Sequence, residues 1–144
     1  MIPPVIPPRT PLLARAAQRS PVPAPVLVRA ADPAIVYGLC TVGEAGRILD
    51  KHCFTALGWH PGTRLSLTCL NSGTVLAQVS PDGPVAITAG HFFRVPHPLR
   101  RRVGLSVGDR PLLVGHPRHG LLIHPPAALE ALCAASLNDL GAAR

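Results

Sequence analysis

Hydrophobic and polar positions alternate or step helically in the same order twice along this chain, at a separation of about 45 residues. In the first pass, Ile35-Val36-Tyr37-Gly38-Leu39-Cys40-Thr41-Val42 is rich in β-formers and reads as a strand. Gly43-Glu44-Ala45-Gly46 is a turn, and Arg47-Ile48-Leu49 resumes extended chain. Asp50 is placed to cap a helix over 51–57. Within it, Cys53, Phe54 and Leu57 stand three and four apart and share one buried face. Gly58 supplies a left-handed stop, and Trp59 folds back as the hydrophobic closure. After the turn His60-Pro61-Gly62-Thr63, the run Arg64–Leu70 alternates with period two. Asn71-Ser72-Gly73 makes a hairpin turn into the strand Thr74–Val79.

Ser80-Pro81-Asp82-Gly83-Pro84 separates the passes, and the order then repeats. Val85-Ala86-Ile87-Thr88 is the opening strand, and Phe92-Phe93-Arg94-Val95 is the short extended piece. Pro96 and Pro98 suit the first turn of a helix, where a missing N–H costs nothing. Leu99 and Val103, four apart, face inward, which turns Arg100, Arg101 and Arg102 mostly outward. Gly104 stops this helix and Leu105 closes it. Val107–Arg110 is a turn, and Leu112-Leu113-Val114 and Leu121-Leu122-Ile123 form a hairpin around Pro117-Arg118-His119-Gly120. A unit of this size buries its apolar faces poorly when alone, and two can cover each other. The pattern therefore predicts a single pseudo-twofold body over about 34–125.

The flanks differ from this body. Residues 1–33 hold nine prolines and little periodicity, and read as a basic, mostly disordered arm, with a marginal helix over Leu12–Arg19. Pro125-Pro126 opens a helix expected to run to about Leu140 and to end at Gly141. Its stripe of Leu129, Leu132, Cys133, Leu137 and Leu140 is expected to pack on the chain's own body or to pair with another subunit. The domain reading is thus an arm (1–33), two repeats (34–80 and 81–125), and a C-terminal helix and tail (126–144).

Charge sharpens this picture. The net charge of +7 comes from thirteen arginines and one lysine against seven acidic residues, and favours a polyanionic partner. A GC-rich genome could inflate Arg, Ala, Pro and Gly together, but it explains three adjacent arginines less well. Cys40, Cys53, Cys69 and Cys133 are scattered without a C-x-x-C, as in reduced cytoplasmic proteins. No apolar run reaches the roughly 18–20 residues that span a bilayer. His116-Pro117-Arg118-His119 has possible metal-ligand spacing but sits in a turn without a nearby Cys pair, the few acidic residues show no paired arrangement for acid–base work, and no nucleophile or phosphate-loop motif is present. No cofactor, metal or catalytic residue is expected.

The stretch Arg94-Val95-Pro96-His97-Pro98-Leu99-Arg100-Arg101-Arg102-Val103-Gly104-Leu105-Ser106-Val107-Gly108-Asp109 resembles the AbrB/MazE/SpoVT swapped-hairpin DNA-binding family. That family reads G-R-hydrophobic-hydrophobic-I-P-x-x-L-R-R-x-L-G-hydrophobic-x-x-G-D. Gly46-Arg47-Ile48-Leu49, followed by Ala56-Leu57-Gly58-Trp59-His60-Pro61-Gly62-Thr63, is similar to the same pattern. Two departures stand out. The second copy has His91-Phe92 for Gly-Arg, and the first has Phe54-Thr55-Ala56 for Leu-Arg-Arg, with a loop-helix segment one residue shorter. The resemblance implies a mainly β fold with short helices: a tandem swapped-hairpin β-barrel pseudo-dimer, plus the C-terminal helix. It also implies a cytoplasmic, nucleoid-associated transcriptional regulator that holds double-stranded DNA. The expected contacts are Arg47, Lys51, Arg94, Arg100, Arg101 and Arg102. A homodimer is compatible with this reading. The alternative is an antitoxin-like or adaptor protein that meets another protein through the C-terminal helix.

Overall fold

The computed structural model describes residues 29–142; the expected helix over Leu12–Arg19 and most of the basic arm lie outside the described residues. The described residues from Pro33 onward group as one unit.

Local signals act where the sequence places them. Strand β1 (Val36–Leu39) leads through a short 3-10 turn, Glu44–Gly46, into β2 (Arg47–Ile48). Helix α1 (Lys51–Leu57) begins at Asp50, whose carboxylate accepts the Cys53 backbone N–H at 3.0 Å. That bond satisfies one of the amides left open in the first turn. The helix ends at Gly58, with φ +77, and the Trp59 N–H donates to the Phe54 carbonyl at 2.8 Å. Strands β3 (Arg64–Cys69) and β4 (Val75–Val79) form a hairpin around Gly73. In the second half come β5 (Val85–Ala86), β6 (Phe93–Arg94) and helix α2 (His97–Val103). Helix α2 opens on Pro96 and closes at Gly104, with φ +67, where the Leu105 N–H donates to the Arg100 carbonyl at 2.9 Å. The hairpin of β7 (Leu112–His116) and β8 (Gly120–His124) completes this half.

The strands of the two halves are interleaved. Among the described residues, one antiparallel sheet of six strands runs β1-β7-β8-β4-β3-β5. The opening strand of each half pairs with the third strand of the other: β1 with β7 and β5 with β3. The order therefore reads the same from either end once the halves are exchanged. Backbone bonds repeat the relation. Val42 N–H donates to the Asp109 carbonyl and Gly108 N–H to the Val42 carbonyl, both at 2.8 Å. Ile87 N–H donates to the Thr63 carbonyl at 2.9 Å and Gly62 N–H to the Ile87 carbonyl at 2.8 Å. Strands β2 and β6 pair with each other as a separate ribbon.

Alternation along the strands puts Leu65, Val75, Ala77, Leu113, Leu121 and Ile123 on one buried face. Ile48 and Phe93 from the ribbon close over the same core, and Phe93 stacks near Phe54, with centroids 5.7 Å apart. Trp59 lies 5.7 Å from Phe54 in the same cluster. Each fully buried aliphatic or aromatic side chain contributes about 1.5–3 kcal/mol. Helix α1 packs against β1 and β7, and α2 against β3, so the helices also lie on strands of the opposite half.

Several expectations need correction. The sheet does not close into a barrel: β1 and β5 remain its edges and do not pair with each other. Closure requires every strand to find two neighbours. Here β5 has only two residues, and the helices and ribbon cover the inner face instead. The fold is accordingly mixed rather than mainly β, with four helices beside the six-stranded sheet among the described residues. The C-terminal helix is also two helices, α3 (Pro126–Leu132) and α4 (Ala134–Ala142), parted at Cys133, with Gly141 inside α4 rather than after it. Cys133 has φ −92 and ψ 12, outside helical geometry. Helix α3 meets β8, but Leu132, Leu137 and Leu140 stay exposed, so the leucine stripe does not close on the body. No helix among the described residues is long and apolar enough to cross a membrane.

Candidate nucleic-acid interface

The β2–β6 ribbon sorts its side chains by the two-residue period of a strand. Ile48 and Phe93 form one cross-strand pair and point into the core, fully buried. The other pair is Arg47 and Arg94, directly opposite each other and exposed. Like charges facing across strands repel. Here the ring of Phe92 offsets that cost, with the Arg94 guanidinium carbon 4.9 Å and the Arg47 carbon 5.7 Å from its centroid. Such contacts contribute roughly 0.5–1 kcal/mol at exposed sites. Arg94 Nε also reaches the Glu44 carbonyl, at 3.5 Å. Two cations are thus held beside one aromatic ring on an exposed ribbon.

Helix α2 carries the remaining arginines in its last turn, where cations complement the helix dipole. They are not equivalent. Arg101 and Arg102 are exposed, whereas Arg100 is half-buried and its Nε donates to the Val95 carbonyl at 2.9 Å. Its side chain lies over Gly46 of the first half, where an added Cβ would sit 2.5 Å from Arg100 Nε. Of the three arginines expected to turn mostly outward, Arg100 thus spends one donor on Val95 of its own half while its side chain covers Gly46 of the other. A polar groove of about 310 Å³ follows, lined by His97, Arg100, Arg101 and the Gly104–Val107 turn. An anionic group there would face guanidinium donors.

Arg47 and Arg94 thus face each other on the ribbon, while Arg100 lies against Gly46 and Val95, the residues next to them in the chain. Lys51 stands instead at the first position of α1, exposed. Arg64 has a local role, its Nε donating to the Gly83 carbonyl at 2.8 Å. Phe92 escaped the reading of the sequence, although strand alternation already separates it from the core residue Phe93. His91 adopts φ +65 before the second ribbon strand, and Ala45 adopts φ +57 before the first, followed by Gly46 at φ +83. Both Ala45 and His91 thus hold a left-handed backbone without being glycine.

The two buried thiols, Cys40 and Cys53, offer little reactivity. Burial, followed by the Asp50 carboxylate, pushes Cys40 up to about 11 and Cys53 up to about 12. A thiol held protonated is a poor nucleophile and metal ligand. Among the described residues no cluster of three His, Cys, Asp or Glu could hold a metal ion. His116 and His119 stack at 4.7 Å in the β7–β8 turn, where the Arg118 N–H donates to His116 Nδ1 at 3.1 Å. No family model matches the chain, and no curated protein or solved structure matches it.

Proposed function

We propose that this chain is a DNA-binding transcriptional regulator and that its two halves form, within one polypeptide, the swapped-hairpin unit of the AbrB-like family. The observation that carries the reading is the Arg47–Arg94 pair, held against Phe92 on the exposed ribbon at the junction of two strand-exchanging halves. Guanidinium groups in this setting suit phosphate oxygens or the O6 and N7 edge of guanine, which accept bidentate hydrogen bonds. Arg101 and Arg102 add exposed charge from the neighbouring helix. Lys51 extends the basic surface in the first half. The protein acts by occupying promoter DNA at the nucleoid, with phosphate contacts for affinity and base contacts for sequence.

Fluorescence anisotropy with duplex DNA across a range of salt tests this. Arg101→Ala with Arg102→Ala weakens binding, and each lost phosphate contact lowers the salt slope by about 0.9. Arg47→Ala or Arg94→Ala, where a base is read, lowers discrimination by roughly 1–3 kcal/mol. Affinity and slope unchanged in all of these variants would overturn the assignment.

A further inference from the structure

The face of the sheet turned away from the ribbon is apolar along one row. Across the strands, Tyr37 stands opposite Val114, Val114 opposite Leu122, and Leu122 opposite Leu76. Leu76, Val114 and Leu122 are only half-buried, and with Ile35 they line a shallow groove of about 510 Å³. Leu122 also belongs to a second groove, of about 340 Å³, which runs on to Ala128, Ala131 and Leu132 of α3. Apolar surface thus continues from the middle of the sheet to the C-terminal helices. Those helices carry their own uncovered stripe: Leu132, Leu137 and Leu140 are 58%, 45% and 67% exposed. A contiguous apolar surface of this kind marks an interaction site.

We infer that the outer sheet face and helices α3–α4 form a self-complementary interface at which a second copy of this chain docks. Each copy lays the Leu137–Leu140 side of its α4 into the partner's groove over Val114 and Leu122. Three observations select a second copy as the occupant. Among the described residues the groove and the leucine stripe are both exposed and apolar, and the groove surface reaches Leu132 at the start of that stripe, as a self-complementary twofold interface requires. Their charges are also complementary. Residues 126–142 carry Glu130 and Asp139 and no basic residue, in a chain of net charge +7. His116 and His119 line the groove, and the exposed Arg118 stands between them in the β7–β8 turn. Finally, Ile48 and Phe93 root the arginine ribbon in the opposite, covered face of the sheet, so docking leaves Arg47 and Arg94 exposed. The inference stands apart from the DNA reading.

Sedimentation velocity of the full chain over a wide micromolar concentration range tests it. The chain is expected to sediment as a monomer–dimer equilibrium. Leu137→Glu with Leu140→Glu, at exposed positions, weakens dimerisation more than about tenfold, with the circular dichroism spectrum unchanged. Val114→Glu in the groove does the same; should it unfold the chain, His119→Glu on the exposed rim takes its place. Mixing the helix variant with the groove variant recovers part of the dimerisation, because one of the two helix–groove contacts is then intact. A monomer at every concentration, a dimer indifferent to the helix variant, or no restoration on mixing would overturn the inference.

Discussion

Asp50 and Arg100 mark the limits of what single residues disclose. Asp50 announces itself as a cap because its partner, the Cys53 amide, is three residues away. Asp50→Ala is expected to cost about 1 kcal/mol, read by urea unfolding through the fluorescence of the sole tryptophan, the buried Trp59. Arg100 was legible as a charge but not as a covering group, since the glycine it lies over, Gly46, belongs to the other half, while its hydrogen bond goes to Val95, five residues back. Arg100→Ala should therefore lower stability by about 1 kcal/mol, whereas Arg101→Ala and Arg102→Ala stay within about 0.5 kcal/mol. The same titration separates these effects from loss of DNA contact. Cys40 and Cys53 make a pH prediction. An unfolded thiol ionises near 9.0, while the native ones hold their protons to about 11 and about 12. Below pH 9 both states keep these protons and the thiol contribution to stability is flat. Above it, the unfolded chain releases protons that the native chain retains, so stability falls as pH rises toward the native values. Cys40→Ala should shallow that fall, measured as unfolding midpoints on either side of pH 9. A fall equally steep in the variant would contradict the burial argument.

At the scale of elements, legibility follows the range of the signal. Both short helices were readable because cap, apolar face and glycine stop all lie within a dozen residues. The hairpins were readable for the same reason. The ribbon was readable only in part: alternation turns Arg47 and Arg94 outward, but nothing local states that they face each other across strands from opposite halves. Nor was the division between α3 and α4 legible, since neither glycine nor proline stands at Cys133. The spacing of the C-terminal leucines correctly marks them as apolar, yet spacing alone does not say what covers them. Phe92 gives the ribbon its own test. Phe92→Ala removes the ring shared by the two guanidinium groups while leaving every arginine in place. DNA affinity should fall through lost preorganisation, with the salt slope unchanged. A change in slope, or none in affinity, would assign Phe92 a different role.

For the whole molecule, the consequence of the sheet order is mutual dependence. The strand β1 of the first half is held by β7 of the second, β5 by β3, and the ribbon takes one strand from each. Neither half can complete its hydrogen bonds or cover its core alone. Separately expressed 29–80 and 81–142 should each lack cooperative unfolding, and mixing them should restore it, as followed by circular dichroism and the Trp59 signal. Two halves that each fold independently would contradict the interleaved architecture. The repeat in the sequence made a two-part body readable. The open sheet was not readable, because closure depends on whether the two edge strands meet, and their separation is set by packing rather than pattern. The central claim concerns the arginines gathered at that junction, and selection of binding sites from a randomised duplex pool tests it most directly. The account predicts an enriched motif that is lost in the protein carrying Arg47→Ala and Arg94→Ala. Recovery of no motif, or of the same motif by that variant, would contradict it.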